Sequence, residues 1–136
     1  MPHMNAWEPI AAEDAPAAAT FDLLRAVPQG DPPPTPLVFA SPLSGRGYPA
    51  DMGASAALDA LSIRRSEDAF VDDLIAGAPA LGVATLNARL ARAYIDVNRE
   101  AFELDPGMFA DELPDFARAR TARVAAGLGA IARVVS

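Results

Sequence analysis

The sequence predicts an α/β protein on three observations: short apolar runs, a segment with helical spacing between them, and proline or glycine at the junctions. The runs are residues 37–40, 82–86 and 93–97, and the helical segment starts near Ser66. A chain of 136 residues suits one domain. Hydrophobic residues make up 51% and charged residues 21%, a balance that favours a folded core over disorder.

Residues 1–19 mix Ala, Pro and acids without a period and read as a mobile arm. That leaves 20–136 as the folded part. Residues 21–27 suit a short first strand. The proline-rich stretch 28–36 excludes helix and central strand, because proline fixes φ and lacks an N–H donor. It reads as a stiff connector or as a ligand for a proline-recognising domain. The run Leu37-Val38-Phe39-Ala40 has the pattern of a strand buried on both faces. It leads into the loop 41–49, and open α/β sheets place ligands at the carboxyl ends of such strands. Gly45-Arg46-Gly47 within that loop also allows an anion nest.

Residues 54–61 are rich in Ala and Leu and predict a helix. A clearer helix is expected from Ser66 as N-cap, with Glu67 and Asp68 in a first turn where the dipole favours anions. Phe70, Val71, Leu74 and Ile75 would form its apolar stripe, and Gly77 and Pro79 would stop it. Residues 82–86 and 93–97 then read as two strands, 103–116 as an acidic loop, and 121–135 as a turn entering a last strand.

Composition excludes several chemistries. The net charge is -7, which opposes nucleic acid and anionic membranes. All eleven basic residues are Arg, so no Schiff-base lysine or P-loop lysine exists. There is no Cys, and the single His is His3, in the predicted arm. Thiolate sites, Ser-His-Asp machinery and multi-histidine metal sites are therefore not expected in the folded part. No apolar run reaches the length of a membrane span, and a cytoplasmic protein is the expectation.

From Pro36 onward the order of motifs resembles the N-formylglutamate amidohydrolase family. The resemblance is carried by the loop 37–49, by Arg64-Arg65-Ser66-Glu67-Asp68-Ala69-Phe70-Val71-Asp72-Asp73-Leu74 and by Ala93-Tyr94-Ile95-Asp96-Val97-Asn98-Arg99-Glu100. Residues 104–110 and 124–129 extend it. It implies an incomplete three-layer α/β/α fold of the phosphorylase/hydrolase kind, related to zinc carboxypeptidases. The implied reaction is removal of an N-acyl group, typically formyl, from an acidic amino acid by a bacterial deformylase of amino-acid metabolism, as in histidine degradation. Two departures stand out. Leu43 occupies the position where the family typically has a metal-binding His, and a second His-bearing segment of the family lies beyond Ser136. The resemblance thus implies the N-terminal part of the family fold, truncated and inactive. Zinc is the family's cofactor, with none expected on this chain.

For the site, the resemblance implies Asn98 and Arg99 as a grip on the substrate carboxylate, which suits a planar guanidinium beside an amide donor. The alternative is that Arg99 pairs with Glu67, Asp68 or Asp96 and closes the end of a strand. Glu67 and Asp68 are either helix-start acids or a catalytic pair, with Asp68 the better match to the family's metal carboxylate. Arg46 either helps fix an anionic substrate or solvates a turn. Arg64-Arg65 reads as a solvated pair. A small N-acyl acidic amino acid is the expected partner. A non-catalytic binding module and a self-associating remnant with an exposed sheet edge are the rivals.

Overall fold

The computed structural model describes residues 20–26 and 35–135. The predicted arm and most of the proline-rich connector lie outside them. The α/β class holds: a three-stranded mixed sheet carries short helices in its connections. Strand β1 is Phe21–Leu24, β2 is Val38–Ser41 and β3 is Ala84–Ala88, in the order β1-β3-β2. The central β3 runs antiparallel to β1 and parallel to β2, with Ala40 opposite Leu86 and Ser41 opposite Asn87.

The expectation that 37–40 is buried on both faces is overturned. Strand β2 is an edge of this sheet, with Val38 60% and Phe39 44% exposed. An apolar run reports that a strand wants cover; it does not supply the cover. Side chains alternate across a strand, so Leu23, Ala40 and Leu86 share one face, and all three are exposed. Thr85 on the other face is fully buried.

Helix α1 spans Ala60–Arg64 and starts where Asp59 accepts the Ser62 N–H at 2.6 Å. The helix predicted over 54–61 therefore begins later, after a non-helical stretch. Helix α2 spans only Val71–Leu74, which corrects the start predicted at Ser66. The Ser66 hydroxyl instead donates back to the Ile63 carbonyl at 3.2 Å, closing the turn after α1. Phe70 sits at φ 65°, a left-handed conformation that no helix can pass through, so the helix forms beyond it. Asp72 and Asp73, not Glu67 and Asp68, occupy its first turn. A 3-10 turn over Ala78–Leu81 follows at the predicted stop.

Two further expectations fail. Residues 93–97 form a turn instead of a strand, because the Tyr94 and Ile95 N–H groups both donate to the Ala91 carbonyl. Residues 121–135 open with helix α3, Ala122–Ala125, capped where Thr121 accepts the Val124 N–H at 3.1 Å. Among the described residues, a single bridge between Leu128 and Ala132 is the pairing that follows.

The core cluster lies beside the sheet: Tyr48, Ile63, Ala91 and Ala93, with Met52 against them. The loop after β2 reaches it by continuing the β2–β3 pairing. Gly47 donates to the Arg89 carbonyl and accepts from the Ala91 N–H, each at 2.8 Å. A Cβ on Gly45 would stand 2.1 Å from the Leu90 carbonyl oxygen, so only glycine permits this approach.

Candidate functional site

The loop 41–49 is a hub for Arg46, Glu67, Asp68 and Asn98, whereas Arg99 is held by Asp96 and the Leu128 carbonyl. The start of the loop is fixed by buried hydroxyls: Ser41 donates to Ser44 at 2.6 Å, and Ser44 donates to the Ser41 carbonyl at 3.3 Å. The Leu43 carbonyl accepts the Asp68 N–H at 2.9 Å, which brings these two positions together. The Leu43 side chain is buried.

Glu67 and Asp68 differ sharply in environment. The Glu67 side chain is 1% exposed, accepts the Tyr48 hydroxyl and pairs with the Arg64 Nε at 3.2 Å. Burial first, then the hydrogen bond to Glu67 and its charge, push the Tyr48 phenol well above the usual tyrosine range. Glu67 thus ties the loop to the end of α1. Asp68 is exposed, and its carboxylate makes no hydrogen bond or ion pair among the described residues. Of the two, Asp68 alone has lone pairs to offer.

Arg46 turns toward α2. Its Nη2 lies 2.6 Å from Asp72 and 3.4 Å from Asp73, and the guanidinium stacks 5.2 Å from the Phe70 ring centroid. That is a local closure of the loop on the start of α2.

Asn98 and Arg99 follow a turn and not a strand end. Beneath them lies Asp96, which is 4% exposed. Asp96 Oδ1 accepts the Asn98 N–H at 2.9 Å, and Oδ2 accepts Arg92 Nε at 2.9 Å. Arg99 Nε lies 3.6 Å from the same Oδ2 and donates to the Leu128 carbonyl at 3.3 Å, while Nη1 donates to the Asn98 carbonyl at 3.1 Å. Among the described residues Nη2 of Arg99 and the Asn98 amide have no partner. Asn98 and Pro42 wall a cavity of about 410 Å³ with Ala40, Leu86 and Val97, so Asn98 stands next to the hub loop. Of the three acids expected as its partner, Arg99 pairs with Asp96.

Sequence reasoning missed two members of this arrangement, Arg92 and Tyr48. Arg92 and Asp96 are four apart, an ion-pair spacing familiar from helices, but here they meet in a turn. Tyr48 and Glu67 are separated by 19 residues and carry no local signal of contact.

The donor set does not fit zinc. A structural or catalytic zinc needs at least three protein ligands, usually nitrogen or sulfur among them. Among the described residues no three His, Cys, Asp or Glu side chains come together to hold a metal. At the hub, Leu43 offers an alkyl group, Glu67 is engaged by Tyr48 and Arg64, and Asp68 stands alone.

The sequence profile of the N-formylglutamate amidohydrolase family matches residues 35–136. The crystal structure of an N-formylglutamate amidohydrolase from Ralstonia eutropha JMP134 superposes with a TM-score of 0.73 at 36% identity. The superposition covers 88% of this chain and 40% of that one, so the chain spans under half of its relative's length. A search of curated proteins finds no match. Among the described residues no helix is long and apolar enough to cross a membrane.

Proposed function

This chain belongs to the N-formylglutamate amidohydrolase family, and we propose that it holds the carboxylate of an N-acyl acidic amino acid through Asn98 and Arg99. The observation that carries this reading is the state of these two side chains. Arg99 is anchored through Nε and Nη1 while Nη2 has no partner among the described residues, and the Asn98 amide is open beside Pro42. A guanidinium with one free amino edge and an adjacent amide is suited to a carboxylate, and anchoring reduces the entropy lost on binding. The proposed architecture is the N-terminal part of a three-layer α/β/α hydrolase.

Turnover is a separate matter. Hydrolysis of an amide in this family's manner requires a polarised carbonyl and an activated water. Asp68 is the side chain at the hub able to contribute, and one carboxylate is too few ligands for zinc. On this reading the chain binds acidic N-acyl amino acids without cleaving them and holds no stoichiometric zinc. Elemental analysis after dialysis checks the metal; one tightly held zinc per chain would overturn that part. For the ligand, titration of N-formyl-L-glutamate followed by amide chemical shifts should saturate at Asn98 and Arg99 with a dissociation constant of about 1 mM, worth about 4 kcal/mol. Arg99→Lys, which keeps the charge but loses the Nε and Nη1 anchors that hold Nη2 in place, should abolish saturation; equal binding by the variant defeats the clamp.

A second reading, self-association, draws on the exposed face of Phe21, Leu23 and Leu86 and on the β2 edge. Sedimentation over a concentration series decides it; a constant monomer mass removes it.

A further inference from the structure

We infer that Asp96 is the positioning residue of the carboxylate clamp: one buried carboxylate sets both Asn98 and Arg99, and Arg92 supplies the charge that makes this compatible with an anionic ligand. This rests on the clamp reading above and deepens it. Pairing of Arg99 with Asp96 and gripping of a ligand by Arg99 are then two halves of one arrangement, not rivals.

The geometry assigns the two oxygens different tasks. Oδ1 accepts the Asn98 N–H at 2.9 Å, a side chain-to-backbone bond that fixes the turn and hence the direction of the Asn98 amide. Oδ2 faces two guanidiniums, Arg92 at 2.9 Å and Arg99 at 3.6 Å. The backbone of Asp96 is pinned as well, its N–H donating to the Ala130 carbonyl at 2.8 Å. The Arg99 side chain is only 14% exposed, so it has little freedom to swing out.

Charge balance makes the second arginine necessary. A single Asp–Arg pair would be neutral and would leave a bound carboxylate without net attraction. Two guanidiniums on one carboxylate leave the cluster at a net charge of +1 within a chain of net charge -7. The attraction for an anion is therefore local and is strengthened by partial burial. Arg92, 26% exposed, supplies a second positive charge at the same carboxylate oxygen, while Arg99 keeps Nη2 for the ligand.

The test uses the full chain, N-acetyl-L-glutamate as probe, and NMR of the arginine Nε–Hε groups. In Asp96→Asn the Arg99 signal should move to the position of a free arginine and affinity should fall about tenfold or more, as for loss of a supporting partner behind a ligating side chain. The Arg46 signal and the far-UV circular dichroism should stay as in the parent. If Asp96→Asn does not fold, Asp96→Glu keeps the charge on a longer arm and should show the same two changes. An unmoved Arg99 signal, unchanged affinity, or loss of the folded spectrum in both variants overturns the inference. A parent that shows the Arg99 signal held by Asp96 yet binds no N-acetylglutamate defeats the clamp reading in its own titration, separately from the variants.

Discussion

The sheet and the loop layer beside it divide order and burial between them in opposite ways. Strands β1, β2 and β3 have regular pairing, yet Phe21, Val38 and Phe39 remain 52%, 60% and 44% exposed. The loops around Tyr48, Ala91, Asp96 and Ala130 contain almost no regular structure, yet those four residues are each at most 4% exposed. Regular hydrogen bonding thus does not mark the stable part of this chain. The loop layer is held by close backbone approach and by buried polar groups, and it carries every residue of the proposed clamp.

If close backbone approach is what holds the loop layer, its largest single liability is Gly45. The added methyl of Gly45→Ala meets the Leu90 carbonyl oxygen at 2.1 Å and the Arg89 carbonyl carbon at 2.8 Å, neither of which can rotate away. We expect a loss of about 4 kcal/mol or more, the range that marks a backbone clash and not a surface change. Chemical denaturation measures it. A loss below about 1 kcal/mol would mean the hub loop is not seated on β3's extension.

The contrast itself is tested by deleting similar apolar bulk from each region. Ile63 is 7% exposed in the loop-side core, and Ile63→Ala should cost about 2–4 kcal/mol through lost burial and a cavity. Val38→Ala on the exposed β2 edge should stay within about 0.5 kcal/mol. Equal costs, read from urea midpoints at constant slope, would break the comparison.

Tyr48 links the two kinds of stabilisation, being both a core residue and the donor to Glu67. Tyr48→Phe should cost about 1–3 kcal/mol, because a buried carboxylate loses its hydroxyl donor. The variant should also change the response to alkali. The folded chain holds the Tyr48 proton above the usual tyrosine range, whereas the unfolded chain releases it near about pH 10. Stability from this group is therefore complete below about pH 10 and is lost as pH rises from there toward the folded value. Urea midpoints measured from pH 9 to pH 11 should fall more steeply for the parent than for Tyr48→Phe. Parallel curves would place the phenol in water.

What could be read beforehand follows the same division. Strands β2 and β3 were legible in 37–40 and 82–86 because a short apolar run between turn residues is a local pattern. Their exposure was not, since cover comes from elsewhere in a fold. The start of α2 was hidden by Phe70, whose positive φ follows from its surroundings and is not encoded by residue type. The apolar run 93–97 suggested a strand, but the Tyr94 and Ile95 N–H groups close a turn on the Ala91 carbonyl, and Asp96 is buried beside two arginines. Asn98 and Arg99 could be singled out only through the family resemblance. Asp96 is one of the three acids expected as a partner for Arg99, but nothing local marked it as buried beside two arginines.

The smallest effect expected is at Arg46, and it separates the hub loop's architecture from ligand binding. Arg46 pairs with Asp72 and Asp73 at the start of α2 and stacks on Phe70, with 38% of its side chain exposed. Exposed pairs of this kind contribute at most about 1 kcal/mol, so Arg46→Ala should lower stability by less than that. Because its Nη2 is already engaged by two carboxylates, binding of N-formyl-L-glutamate should weaken less than in Arg99→Lys, by about threefold or under, equivalent to less than about 0.7 kcal/mol. Removing the acids instead, in Asp72→Asn with Asp73→Asn, frees the guanidinium without removing it. If that double variant binds the ligand more tightly than the parent while Arg46→Ala binds it no worse, Arg46 is a cation held in check by α2. If Arg46→Ala loses binding as fully as Arg99→Lys, the ligand lies across the hub loop, and the site extends from the Asp96 turn to the start of α2.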